Sequence, residues 1–312
     1  MKTISSILLK RHCPSLPRDL IHHLVMCVMV VLPATGAKAQ TLFGTNLIRN
    51  GAAEEGAAST GSGAPGGIVL IPQWVTSGPF TVNQYGQTSA THLVPLSAPS
   101  SPARGTNFFA GGPTNVDTFA IQEVDLSPVA TEIDSGGVQF CMAGYFGGFH
   151  HQNDNAVLSA TFLASQNVVL SSNWVGHVLS AERSDDTATG SLLLRKTRGG
   201  IPAGTRKVRF MIYMQIDTTI PNQSYNDGYA DNLSFVLTTP RSGAKGLSIQ
   251  RSGADLVVKW PAGLTGFELQ TTSQLEAPIA WKTVTNSMGV EAGWFVFTNN
   301  QAKPREFFRL IY

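Results

Sequence analysis

Apolar residues along this chain fall into short alternating runs divided by Gly, Pro, Asn and Ser, and no stretch sustains a helical period. Such runs mark an all-β sandwich or barrel. Residues 119–126 and 138–143 read as strands, and 157–163 and 168–170 as a pair joined at Ser165-Gln166-Asn167. The run 207–215 alternates most cleanly, with Val208, Phe210, Ile212 and Met214 on one face, and 229–237 closes this first unit. Residues 239–246, with Pro240, Ser242 and Gly243, read as a linker. A smaller β unit follows over 247–312, with strands at 247–250, 256–260, 267–270, 281–284, 294–297 and 307–311 and a hairpin at Ser252-Gly253. The Gly-, Ala- and Ser-rich stretch 51–67 reads as an irregular loop.

The first 39 residues read as an export signal. Lys2, Lys10, Arg11 and Arg18 precede an uncharged run from Leu24 to Leu32, and Ala37-Lys38-Ala39 supplies a small-residue cleavage site. The apolar run is too short to cross a bilayer, which needs about 18 residues or more. The expected destination is outside the cytoplasm: secreted, periplasmic or at the cell surface.

Charge then narrows the function. Only 13% of the 312 residues are charged, about half the ~25% usual in soluble domains, which argues against charge-driven disorder and coiled coils. Loss of five basic residues and Asp19 with the signal leaves 17 basic and 19 acidic. A nucleic-acid binder would keep a concentrated basic face; Arg195-Lys196-Thr197-Arg198 and Arg206-Lys207-Val208-Arg209 read instead as solvated strand edges. Residues 40–239 carry 9 basic and 14 acidic groups and 240–312 carry 8 and 5, so the two units are free to dock. Cys141 alone survives cleavage, flanked by apolar Phe140 and Met142, and reads as a buried inert thiol. An exported protein without a disulfide depends on its core or a metal.

Asn46-Leu47-Ile48-Arg49-Asn50-Gly51-Ala52-Ala53-Glu54 resembles the N-L-x-x-N-G-x-F-E opening of galactose-binding-like jelly-roll modules, a carbohydrate-binding class of secreted bacterial proteins. Ala53 departs from the pattern, standing where the family has Phe. The resemblance continues through Pro72-Gln73-Trp74, the run from Asn107 to Gly112, Gln152-Asn153-Asp154-Asn155-Ala156, the run from Ile201 to Arg206 and the run from Asn226 to Leu233, together about 42–238. The second unit is similar to small immunoglobulin- or fibronectin-III-like modules, through Val258-Lys259-Trp260-Pro261, Leu269-Gln270, Trp281-Lys282-Thr283-Val284 and Phe307-Phe308-Arg309-Leu310. The resemblance implies a jelly-roll sandwich followed by a small Ig-like sandwich. It also implies a structural calcium ion between the first and last strands, held by Glu54 and Asp231 with carbonyls of the Asn50–Gly51 turn. Calcium takes six to eight oxygen ligands, and an ion there would clamp the ends of a disulfide-free domain.

Sugar recognition needs an aromatic platform with planar polar groups nearby. Candidates are Trp74, Tyr85, Phe149, Trp174 and Tyr225, with Gln152, Asn153, Asp154 and Arg183 as polar companions. Trp74 and Trp174 read as core plugs and Phe149, after Gly147-Gly148, as a loop-tip aromatic; Asp227 could line a pocket with Tyr225 and Tyr229. The expected ligand-binding set is therefore Phe149, Gln152, Asp154, Tyr225 and Asp227. His150 and His151 would point opposite ways on an extended segment and so not share a metal. No G-x-S-x-G, phosphate loop or dinucleotide fingerprint occurs, and the neighbouring acids Glu54-Glu55 and Asp185-Asp186 do not establish a glycosidase separation. The leading expectation is non-catalytic binding of a polysaccharide or cell-surface glycan, without nucleic-acid partners or membrane insertion. An adhesive or structural exoprotein is second, and a β-sandwich glycoside hydrolase or esterase third.

Overall fold

Ten strands build the first unit: β1 (Val75–Ser77), β2 (Thr81–Gln84), β3 (Asn107–Gly112), β4 (Thr118–Asp125), β5 (Gln139–Phe149), β6 (Asn155–Leu163), β7 (Val169–Gly176), β8 (Gly190–Gly200), β9 (Lys207–Gln215) and β10 (Asn226–Thr238). They come from a computed structural model that describes residues 42–59, 67–87, 94–183, 190–239, 246–285, 288–300 and 305–312. The export signal, Asp185-Asp186 and residues 240–245 of the expected linker lie outside the described residues.

The strands pair antiparallel into two five-stranded sheets, β1-β4-β9-β6-β7 and β2-β3-β10-β5-β8, which face one another as an all-β sandwich. Between them Phe140 stacks on Phe235 at 5.2 Å, and Phe162 and Phe210 close the cluster at 5.4 Å from Phe140 and 4.9 Å from Phe235. Strand β9 shows why the sequence folds this way: Val208, Phe210, Ile212 and Met214 are fully buried while the intervening residues are half-buried or exposed. The β6–β7 hairpin turns at Gln166 and Asn167, both with positive φ (63° and 62°). The edge-strand reading holds for 195–198, on β8, but not for 206–209. β9 is the middle strand of its sheet, and Lys207 and Arg209 lie across its outer face, paired with Glu123 at 2.7 Å each.

The opening segment lies against the closing strand. Gly44 N–H donates to Leu237 O, Leu47 N–H to Phe235 O, and Leu233 N–H to Gly51 O, each at 2.8 Å. Strand β10 carries a bulge between Asp231 and Ser234, with Asn232 at φ 47°.

Among the described residues, seven shorter strands form the second unit: β11 (Ser248–Ser252), β12 (Asp255–Pro261), β13 (Glu268–Thr272), β14 (Lys282–Thr283), β15 (Gly289–Glu291), β16 (Trp294–Asn299) and β17 (Phe307–Ile311). They pair as β11-β12-β16-β15 and β14-β13-β17. Gly253 (φ 62°) turns the β11–β12 hairpin, the site the sequence indicated. The second unit packs on the outer face of the β10–β5 pair: Cys141 and Val236 share one buried cluster with Val258, Trp260, Leu264 and Leu269. Tyr312 OH donates to Met142 O and accepts from Thr197 N–H at 3.2 Å. Ser234 Oγ donates to Thr265 O at 3.3 Å.

Candidate functional site

The outer face of the second sheet is covered, by Tyr85, Val94 and Ala98 over Tyr229 and Phe108 and by the second unit over Cys141 and Val236. Among the described residues, the first sheet's outer face is open. Register fixes what it presents: Trp174, Ser159, Met211, Ile121 and Val75 stand opposite one another across five strands, and Val157, Tyr213, Phe119 and Ser77 form the adjoining row. Val157, Ser159, Trp174, His177, Tyr213 and Gln215 line a depression of about 440 Å³ in this face.

Trp174 is 60% exposed, with the His177 ring edge-on at 5.4 Å. This corrects its reading as a core plug: β7 is an edge strand, and only its other face, through Val175, reaches the core. Trp74, by contrast, is buried edge-on against Phe109 at 5.8 Å and donates Nε1–H to Asn50 O at 3.2 Å. Tyr213 OH donates to Asp117 Oδ2, while Asp117 Oδ1 accepts from Ile216 N–H at 3.0 Å. That bond, before any burial, pushes the Tyr213 hydroxyl up to about 12, so the ring is a fixed neutral platform.

The expected ligand residues lie elsewhere, at the end of the sandwich. Phe149 and Gln152 are half-buried, in a turn whose carbonyls are gathered by the buried Arg183 guanidinium, at 2.8 Å for His150 O. Asp154, Tyr225 and Asp227 stand in the interior rather than on a surface that a polymer reaches. Asp154 accepts from the backbone N–H of Asp227 at 2.7 Å and of Asp217, and from Gln223 Nε2; burial pushes its carboxyl up to about 6. Tyr225 OH accepts from Asn83 Nδ2 at 2.9 Å, and Asp227 Oδ1 accepts from Tyr229 OH at 2.7 Å. His150 and His151 do not point apart: His150 turns at φ 49°, bringing the two rings to 4.0 Å. Among the described residues, no group of three His, Cys, Asp or Glu side chains is placed to hold a metal.

Where the opening segment crosses β3 and β10, the exposed Glu54 lies near enough to the buried Asp231 to act on it electrostatically. Glu54 Oε1 accepts from Thr106 N–H at 2.8 Å and Asn107 N–H at 2.7 Å. Asp231 is fully buried, with Oδ2 accepting from Tyr85 OH at 2.8 Å and Oδ1 from Asn232 N–H at 2.6 Å. Burial first, and the Glu54 charge further down, raise the Asp231 carboxyl well above its ordinary range. The carbonyls of Asn50 and Gly51 are already engaged, by Trp74 Nε1–H and Leu233 N–H. Two other oxygens are not. Asn107 Oδ1 and Asn232 Oδ1 are buried without a partner, while their Nδ2 groups donate to Ala53 O and Ala103 O. Two carboxylates and two unpartnered amide oxygens are a hard-oxygen donor set of the kind calcium accepts, although sequence reasoning missed Asn107 and Asn232.

No family model and no curated protein matches the chain. Among solved structures it is similar to the enzymatically active domain of bacteriophage CBA120 tailspike protein 4 (15% identity, TM-score 0.35, 62% of this chain and 22% of that one). It is also similar to the CBM22-1–GH10 modules of Clostridium thermocellum endo-1,4-beta-D-xylanase 10B, solved with xylohexaose (12%, TM-score 0.28, 58% and 28%). The chain thus matches less than a third of either protein's length, and at these values the likeness assigns neither a family nor a function.

Proposed function

We propose that this protein binds a neutral polysaccharide or cell-surface glycan, without cleaving it, on the open face of the first sheet. The observation that carries this is the convergence of exposed Trp174 with Tyr213, Gln215 and Ser159 around one depression. A sugar's C–H face packs on an aromatic ring, and planar polar groups take its hydroxyls. Among the described residues, none of the lining side chains is Asp, Glu, Lys or Arg, which suits a neutral ligand. Pull-downs on insoluble polysaccharides and glycan arrays test the reading; silence across all of them counts against it.

A structural calcium ion belongs to the same reading, held by Glu54, Asp231 and the amide oxygens of Asn107 and Asn232. Bound there, calcium supplies charge neutralisation and a cross-link rather than reaction chemistry. The chain is read as exported, and its second unit, with strands divided four and three, as a small Ig-like module.

A further inference from the structure

Beside Glu54 and Asn232, the neighbour of Asp231, lies a cavity of about 240 Å³. Glu54, Gly51 and Asn232 line it from the first unit, and Gly263 and Thr265 line it from the second. Asn232, whose Oδ1 lacks a partner, is 93% buried in this wall. The second unit's contribution is held in place rather than draped over the opening. Leu264, between the two lining residues, is 1% exposed in the shared apolar cluster, and Thr265 O accepts from Ser234 Oγ, three positions along β10 from Asp231.

We propose that the cation site spans both units, with the Gly263–Thr265 turn as its outer wall, so that calcium binding and docking of the second unit are thermodynamically linked. The proposal rests on the calcium reading above and extends it from a clamp within the first unit to one between two. An ion that binds the docked form better than the undocked form stabilises docking by its differential affinity. The wall supplies that difference: Glu54 is exposed in either form, but undocking removes Thr265 and opens the buried Asn232 to water.

Cys141 is a native reporter, because it is buried beneath the second unit in the same cluster as Trp260 and Leu264. The test uses the full chain with calcium or EDTA, following maleimide labelling of Cys141 by peptide mass spectrometry, and calcium binding by equilibrium dialysis. Saturating calcium should slow Cys141 labelling by roughly tenfold or more, as linkage at concentrations far above Kd allows, and Glu54→Gln should abolish the difference. Hydrogen exchange separates docking from overall stability: amides of residues 258–270 should gain more protection than those of β6 and β9, which share only the global stabilisation. Calcium bound with an unchanged labelling rate overturns the linkage and leaves the calcium site standing. Equal protection in both regions means global stabilisation and overturns it as well. No calcium bound removes the site and the linkage with it.

Discussion

Trp174 and Trp74 show how far one residue type can diverge. Trp174→Ala removes an exposed platform, so retention on a bound polysaccharide should fall by tenfold or more, equivalent to about 1.4 kcal/mol. Folding stability should move by less than ~0.5 kcal/mol, as for surface changes; affinity electrophoresis and denaturant melts read the two separately. Trp74→Phe does the reverse, losing the bond to Asn50 O at a stability cost of about 1 kcal/mol with ligand retention intact. The buried Asp154 makes a third case. Its folded value, about 6, exceeds the ~3.9 of an unfolded aspartate, so between those values the folded state holds more protons and stability falls as pH rises. The gap sets a ceiling of about 3 kcal/mol, and Asp154→Asn should flatten urea midpoints between pH 4 and 6. A wild-type midpoint that rises over that interval would refute the assignment. Neither Trp174 nor Asp154 was legible in the sequence. Leu170, Ser172 and Trp174 alternate with Val169, Ser171, Asn173 and Val175, giving β7 no contrast between its faces. Asp154 resembles a solvated loop acid until segments more than sixty residues away close over it.

At the scale of strands, legibility followed the number of covered faces. β9 has one face in the core and one open, and its alternation marked both ends correctly as Lys207–Gln215. β3 and β10 are buried on both faces, so their sequences lose the period-two signal. Asn226, Asp227 and Gly228 consequently fell outside the strand read at 229–237, although they are already part of β10. The Asn46–Glu54 motif was legible as a unit, but its physical reason lies in close approach. A Cβ on Gly51 would sit 2.3 Å from Leu233 O, far inside contact distance. Gly51→Ala must therefore push the opening segment off β10, breaking the Leu233 N–H to Gly51 O bond. The expected loss is about 1–3 kcal/mol, as for other overpacked sites. Differential scanning calorimetry should show it as a lowered Tm, and hydrogen exchange should show early opening at residues 42–51; an unchanged Tm would mean that the segment is not held there.

Over the whole molecule, one sandwich face is covered by packing and the other, among the described residues, is open. Opposite net charges on the two units allowed docking without requiring it. The ion pair across the junction, Lys196–Glu268 at 3.2 Å, is solvent-exposed and such pairs contribute little. The apolar cluster joining Cys141 and Val236 to Val258, Trp260 and Leu264 is what holds the units together, so unfolding should be a single transition largely indifferent to salt. Metal is the variable that should move it. Without a cation, the fold buries the Asp231 carboxylate completely, stabilised by Tyr85 OH and a backbone N–H, and sets the Glu54 charge near enough to disfavour its ionised form. A cation between them reverses both effects and ties residue 54 to residue 231, closing a long loop in the folded chain. Calcium at a hundred times its Kd should therefore add about 2.7 kcal/mol, seen as a concentration-dependent rise in Tm that EDTA undoes and Glu54→Gln abolishes. A Tm identical in calcium and EDTA would leave the unpartnered oxygens of Asn107 and Asn232 to ordered water, with the two acids held by hydrogen bonds alone.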